Sequence, residues 1–261
     1  PAGKFMMGSP ESEKDRSEDE GLHEVTIDKP FSMGVTHVTV DQFAAFVKDA
    51  GYQTDAEKDG YAFCFVVKDG KLDMNTVDGG SWRNPGFDQK GDHPVVAVSW
   101  NDARAFCEWL SKKSGKKVDL PTEAQWEYAA RAGAQTAYVW GDNPDDGKGM
   151  AICRDATLKK ALPQAPPTFT FFDWDDGFAF TSPAGTYKPN AFGLRDMTGN
   201  AWQWCGDRYG DYEKGAGMSA LRVLRGGAWS GRAPACRSAS RFGSYPYIRR
   251  ADCGFRVIVA D

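Results

Sequence analysis

Histidine is scarce in this chain: His23, His37 and His93 are the only three in 261 residues. No two of them are spaced as an i, i+4 pair, and none belongs to a His-x-x-x-His-x-Glu pattern. That argues against a mononuclear iron centre and leaves a Ser-His-Asp nucleophile system without sequence support. His93 precedes Pro94 and reads as structural. No cysteine pair has the C-x-x-C spacing of a metal knuckle. No apolar run approaches the roughly 18 residues that a membrane-crossing helix needs. Basic residues are not in excess either. Lys and Arg number 32 against 36 Asp and Glu, giving a net charge of −4 and a pI near 5.5. A nucleic-acid partner is therefore a poor expectation. No fixed-period repeat and no interdomain linker is evident, so residues 1–261 read as one domain. The chain begins at Pro1, and the expectation is that an upstream segment, such as a signal peptide, has been removed.

What is present is tryptophan and glycine, nine and 29 residues respectively, with 41% hydrophobic residues to supply a core. That mixture predicts short strands, tight turns and long irregular segments. Gly3–Ser9, Val25–Ile27 and Phe31–Thr36 read as strands, separated by a charged stretch from Pro10 to Glu24 that reads as a solvated loop. Asp41 opens a helix whose apolar face is Phe43, Ala44, Phe46 and Val47, closed by Gly51. A second helix opens at Asn101-Asp102 and stops before Gly115. A third runs from Thr122, where Thr122 and Gln125 form a capping-box pattern, to Gly133. Between the first two lies a Gly-rich stretch with a hairpin-like element, Phe63–Val67 and Lys71-Leu72 around Asp69-Gly70. Residues 142–189 read as a second long irregular region, rich in Pro and Phe. Of the cysteines, Cys107 reads as a small buried hydrophobe. Cys64 and Cys253, beside turn-like stretches, are the better disulfide candidates.

Three motifs in fixed order carry most of the information. Leu120-Pro121-Thr122-Glu123-Ala124-Gln125-Trp126-Glu127-Tyr128-Ala129-Ala130-Arg131 comes first. Gly193-Leu194-Arg195-Asp196-Met197-Thr198-Gly199-Asn200-Ala201-Trp202-Gln203-Trp204 follows. The chain closes with Arg225-Gly226-Gly227-Ala228-Trp229-Ser230, Cys236-Arg237-Ser238-Ala239-Ser240-Arg241 and Gly254-Phe255-Arg256-Val257. From end to end this resembles the formylglycine-generating enzyme (sulfatase-modifying factor) family. The resemblance implies an α+β, C-type-lectin-like fold with a small antiparallel sheet, few helices and long ordered loops.

It also implies sites. The oxidases of the family use a copper-binding cysteine pair, one member lying just after a Gly-Gly-Ser-Tyr segment. Gly231 stands at that place here, so the soft thiolate pair that selects Cu(I) is missing and copper is not expected. Structural calcium is expected, because Ca²⁺ takes six to eight oxygens, many from turn carbonyls. By resemblance one site takes Asp196, the carbonyls of Gly199 and Ala201, and Gln203. A second takes Asp176 with the carbonyls of Ile152 and Phe178. Gln203 stands where the family usually has Glu, and Ala151 where a ligand Asn is expected. For a ligand pocket the aromatic, arginine-rich C-terminal region offers Trp229, Ser230, Arg241 and Tyr245, whose rings and guanidinium would suit an aromatic or anionic ligand.

Within the family the resemblance points to a periplasmic siderophore-maturation role, oxidation of a dihydropyoverdine precursor to the mature chromophore. The implied partners are a small-molecule or peptidic siderophore precursor and other periplasmic maturation proteins. One alternative is a non-catalytic binding module on the same scaffold. Another is a copper oxidase assembled from other cysteines, such as Cys205 with Cys236.

Overall fold

Four helices start in the same way, with a hydroxyl residue accepting from the backbone three positions on while the residue there bonds back. In this computed structural model, which describes residues 1–68, 71–162, 169–212, 215 and 217–260, they are α1 (Val40–Ala50), α2 (Asp55–Asp59), α3 (Trp100–Ser114) and α4 (Glu123–Arg131). The caps are Thr39 with Gln42, Thr54 with Glu57, Ser99 with Asp102 and Thr122 with Gln125. Each box satisfies otherwise orphaned donors at the helix start. Only the Thr122 cap matches the sequence reading. The first two long helices are capped two residues earlier than expected, because Thr39 and Ser99 supply the hydroxyls that Asp41 and Asn101 do not. Gly51, Gly60 and Gly115 close α1, α2 and α3 in the left-handed region, whereas the cap after α4 is Ala132, with Gly133 following it at positive φ. The five-residue α2 and the six-residue α5 (Ala156–Ala161) are too short to show a helical period in sequence.

Among the described residues the strands form four small sheets. β1 (Gly3–Met7) pairs antiparallel with β2 (His23–Ile27). β4 (Tyr61–Lys68) pairs with β5 (Lys71–Asp78) as the expected hairpin, longer than its sequence signal; its Asp69-Gly70 turn lies outside the described residues. A three-stranded antiparallel sheet has β11 (Ile258–Ala260) between β3 (Phe31–Met33) and β6 (Lys117–Asp119). The largest runs in the order β10, β7, β8, β9: Cys253–Gly254, Trp202–Arg208, Arg222–Arg225 and Arg241–Ser244. It is antiparallel except for the β10–β7 pairing.

An aromatic core joins the helices to this last sheet. Phe43 of α1 contacts Phe46, Trp82, Phe106 and Phe255 at centroid distances of 5.3–6.3 Å. Burying each such ring stabilises the fold by about 1.5–3 kcal/mol. Close backbone contact matters as well: a Cβ on Gly254 would lie 2.3 Å from the Val95 carbonyl oxygen.

The charged stretch from Pro10 to Glu24 is not simply a solvated loop. Glu20 is buried, and it takes Arg237 Nη1 and Nη2 at 2.7 Å each, with Glu13 at 2.7 Å from the same guanidinium. Arginines more than 200 residues away hold the segment down, a partnership with no local sequence signal. The cysteines are buried, none is bonded to another, and Cys107 sits in the core as expected. Cys64 and Cys253 lie in different apolar clusters, which separates the two disulfide candidates.

Candidate functional site: an arginine-lined groove on a buried ion network

Glu127 joins the first and last sequence motifs, and Gln203 ties in the second through Trp126 and Arg256. Glu127 of α4 is fully buried, accepting from the Gly8 backbone N–H at 2.9 Å, from Arg131 Nε at 2.8 Å and from Arg225 Nη2. Arg225, at the end of β8, then donates to the carbonyls of Ser238 at 3.0 Å, Ala239 at 2.7 Å and Ser240. Its cost of burial is offset by Glu127 and Glu123, which hold its pKa above the usual arginine value. A second buried arginine, Arg256, donates to Gln203 Oε1 at 2.6 Å and to the carbonyls of Gly34, Val35, Arg195 and Asp196. Backbone that would otherwise be loop is thus held by guanidinium forks.

On this frame lies an open groove of about 450 Å³. The hairpin contributes Phe65, Asp73 and Met74; the segment before α5 contributes Arg154; Trp202 and Phe242 come from β7 and β9. Ser230, Gly231, Arg232 and Ala235 form one side, with the short 3₁₀ helix Ala233–Cys236 beneath. Arg154 Nε donates to the Ser230 carbonyl at 2.8 Å, and its guanidinium lies 3.6 Å over the Phe169 ring. Burial, then the charge of Arg232, lowers the Arg154 pKa to about 10. Among the described residues neither Arg154 nor Arg232 meets a carboxylate in an ion pair, whereas Arg250 donates twice to Asp252, at 2.9 Å each. Asp252 also accepts from Ser230 Oγ at 2.6 Å. The groove thus carries positive charge from Arg154, stacked on Phe169, and from the exposed Arg232.

Of the four residues expected in a pocket, Ser230 lines this groove. Trp229 does not: it is fully buried against Phe65, Phe87 and Phe180, and its ring N–H donates to the Ala251 carbonyl at 3.3 Å. Arg241 faces elsewhere, gripping Glu123 at 2.7 and 2.8 Å beneath Tyr212. Tyr245 is half exposed, stacked on Tyr247 and outside the groove lining. Arg250, Trp202 and Phe242 belong to the aromatic and arginine-rich sequence region, but Phe65 and Arg154 come from distant segments with no motif to mark them. His37 and His93 lie apart from the groove, bonded to the Ala201 carbonyl at 2.8 Å and to Thr181 Oγ1 at 3.0 Å.

Comparison with known proteins settles the family. The sulfatase-modifying factor enzyme 1-like domain matches residues 1–261. The chain is 35% identical to a formylglycine-generating enzyme of Streptomyces coelicolor, over 98% of this chain and 86% of that protein. It is 33% identical to the inactive Cα-formylglycine-generating enzyme 2 of Bos taurus, over 98% and 85% of the two chains. The chain belongs to the sulfatase-modifying factor family. The structure of PvdO from Pseudomonas aeruginosa superimposes with a TM-score of 0.78 at 32% identity, covering 100% of this chain and 92% of that one. A likeness in fold alone extends to Treponema denticola variable protein 1, at TM-score 0.70 and 21% identity, covering 100% and 93%.

The copper pair of sulfatase-modifying factor oxidases does not fit the residues here. Gly231 offers no donor, and Cys236 Sγ abuts Cys153 Sγ at 3.0 Å. Metal–thiolate bonds of about 2.3 Å hold two sulfurs further apart than that. Cys205 lies in another cluster, packed with Trp126 and Val223.

The calcium sets fit unequally. Asp176 Oδ1 accepts from the Phe178 N–H at 2.8 Å, but its buried Oδ2 has no partner. Burial, and after it the nearby Asp155, raises the Asp176 pKa to about 8. Burial favours its neutral form, and a bound cation would favour the carboxylate instead. The Ile152 carbonyl already accepts from the Asn200 N–H at 2.9 Å and retains a lone pair. In the other set Asp196 has a buried, unpartnered Oδ1. Gln203, however, is used up: its Oε1 accepts from Trp126 and Arg256, and its Nε2 donates to the carbonyls of Asp196 and Met197. The Ala201 carbonyl accepts from His37. Of that set Asp196 and the Gly199 carbonyl keep acceptor capacity for an ion, and the Ala201 carbonyl retains one lone pair as Ile152 does.

Proposed function

We propose that the protein matures a pyoverdine-type siderophore in the periplasm, oxidising a dihydropyoverdine precursor to the mature chromophore. The observation that carries this reading is the groove beside Gly231, where aromatic walls and the guanidiniums of Arg154 and Arg232 replace the missing thiol. The full-length similarity to PvdO supports it. In the reaction the substrate loses two hydrogens, and dioxygen taking both would leave as hydrogen peroxide. The chain's own part is binding: Arg154 and Arg232 face the anionic group of the chromophore, and Phe65, Trp202, Phe242 and Phe169 exclude water from its faces. Bound calcium would belong to the scaffold, held by Asp176 with the Ile152 and Phe178 carbonyls, and by Asp196 with the Gly199 and Ala201 carbonyls.

The test is incubation of purified protein with dihydropyoverdine under air, following chromophore absorbance and mass, with metal-stripped and copper-loaded samples in parallel. Catalysed loss of two hydrogens establishes the oxidation. Arg154→Ala should weaken binding about ten- to a hundredfold, the value of one charge-assisted hydrogen bond. Saturable binding without turnover would favour the second reading, a ligand-binding module, which Gly231 and the likeness to a relative named inactive also favour. Absence of both binding and turnover would overturn the siderophore assignment.

A further inference from the structure

The thiols of Cys153 and Cys236 are 83 residues apart in sequence and 3.0 Å apart in space, about 1 Å beyond a bonded S–S distance. Both are fully buried, in an apolar cluster with Ala137, Tyr138, Ala151, Phe172 and Trp174. The backbones around them are already docked. The Arg154 N–H donates to the Gly231 carbonyl at 3.0 Å, and the Arg154 side chain to the Ser230 carbonyl. We propose that Cys153 and Cys236 form a disulfide, a covalent modification that staples the groove wall carrying Arg154 to the 3₁₀ helix beneath Gly231.

The other cysteines are distributed so that they do not compete. Cys64 and Cys205 each sit in a separate cluster. Cys107 and Cys253 share the main core, but Cys253 Sγ points to Asp252 Oδ1 at 3.5 Å. Both thiols are shut away from any external disulfide once the site has closed. Oxidation therefore belongs to folding, before burial. The oxidant is a disulfide donor of the glutathione or thiol-oxidoreductase class. One cysteine thiolate attacks the donor disulfide, forming a mixed disulfide and expelling one donor thiolate. The second cysteine thiolate attacks the mixed disulfide and expels the other. Two protein thiols are oxidised, the donor is reduced to two thiols, and those thiols take the two protons. The inference is independent of what the groove binds.

The full chain is folded in a glutathione redox buffer, unfolded without reductant, alkylated and digested. Four of the six cysteines should alkylate, six less the bridged two, and a peptide pair joined at Cys153 and Cys236 should appear, vanishing on reduction. In Cys153→Ser all five remaining cysteines should alkylate. Reductant should lower the melting temperature of the wild type by about 5–15 °C and leave a Cys153→Ser/Cys236→Ser variant unmoved. Alkylation of all six thiols before reduction, or a bridge between any other pair, overturns the proposal. Should the double variant fail to fold, the wild-type peptide map decides.

Discussion

Replacing Glu127 by Ala should destabilise this protein more than any comparable surface change, and the size of the loss follows from its partners. The substitution strips the counter-charge from Arg131 and Arg225, both buried, and the acceptor from the Gly8 N–H. Breaking a buried ion pair costs about 3–5 kcal/mol, and an unpaired buried N–H about 1–3 kcal/mol. Some of this is recovered: Glu123 lies 3.6 Å from Arg225 Nε, and the carbonyls of residues 238–240 still accept from it. A net loss of about 4–5 kcal/mol is a large share of the roughly 5–15 kcal/mol that holds a domain folded. It corresponds to a fall in melting temperature of about 10–15 °C. Glu127→Gln, which keeps an acceptor for Gly8 but not the charge, should lose about half as much. Because the network is shielded from solvent, the loss should persist in 1 M salt, where a surface pair would be screened. Thermal and urea unfolding of the two variants, at low and high salt, measure this directly. An Ala variant melting within about 3 °C of wild type would refute the claim that Glu127 neutralises the buried arginines.

Calcium should raise the melting temperature and chelation lower it, with Asp176→Asn removing most of the response; identical melting in calcium and chelator would dismiss Asp176 as a ligand. Gly199→Ala should cost about 3 kcal/mol or more, since φ is +75° there and the added Cβ would lie 2.0 Å from the Ile152 carbonyl oxygen; a urea midpoint equal to wild type would contradict that close approach. Burial lowers the His93 pKa, against the opposing pull of Asp92 and with a smaller push from Lys90. The unfolded chain then takes up its proton first as pH falls. The contribution of His93 is complete above about pH 6.5 and is lost on acidification below it, by at most about 1.4 kcal/mol per pH unit. His93→Gln should flatten that limb of the stability profile, and an unchanged slope would place the titration elsewhere.

Local interactions were readable from the sequence. The Thr122–Gln125 cap needs only neighbouring residues, and so do the apolar face of α1 and the closing role of Gly51 and Gly115. The family and its C-type-lectin-like fold were readable for another reason. Trp126, Glu127, Arg225, Arg237 and Arg256 lie in the motifs that carry the resemblance and each is buried here, although the sequence does not show which partner each one takes. The sequence also showed that Gly231 leaves no thiol at the family's copper position. Tertiary structure alone decided which side chains share a cavity. Trp229 and Arg241 look like pocket residues by composition, yet one is packed among Phe65, Phe87 and Phe180 and the other is held by Glu123. Phe65 and Arg154 reach the groove from segments far apart in the chain, and Cys153 meets Cys236 across 83 residues. Such contacts are set by how the sheets and loops pack, and packing at long sequence separation leaves no period, spacing or neighbour in the chain from which it could be read.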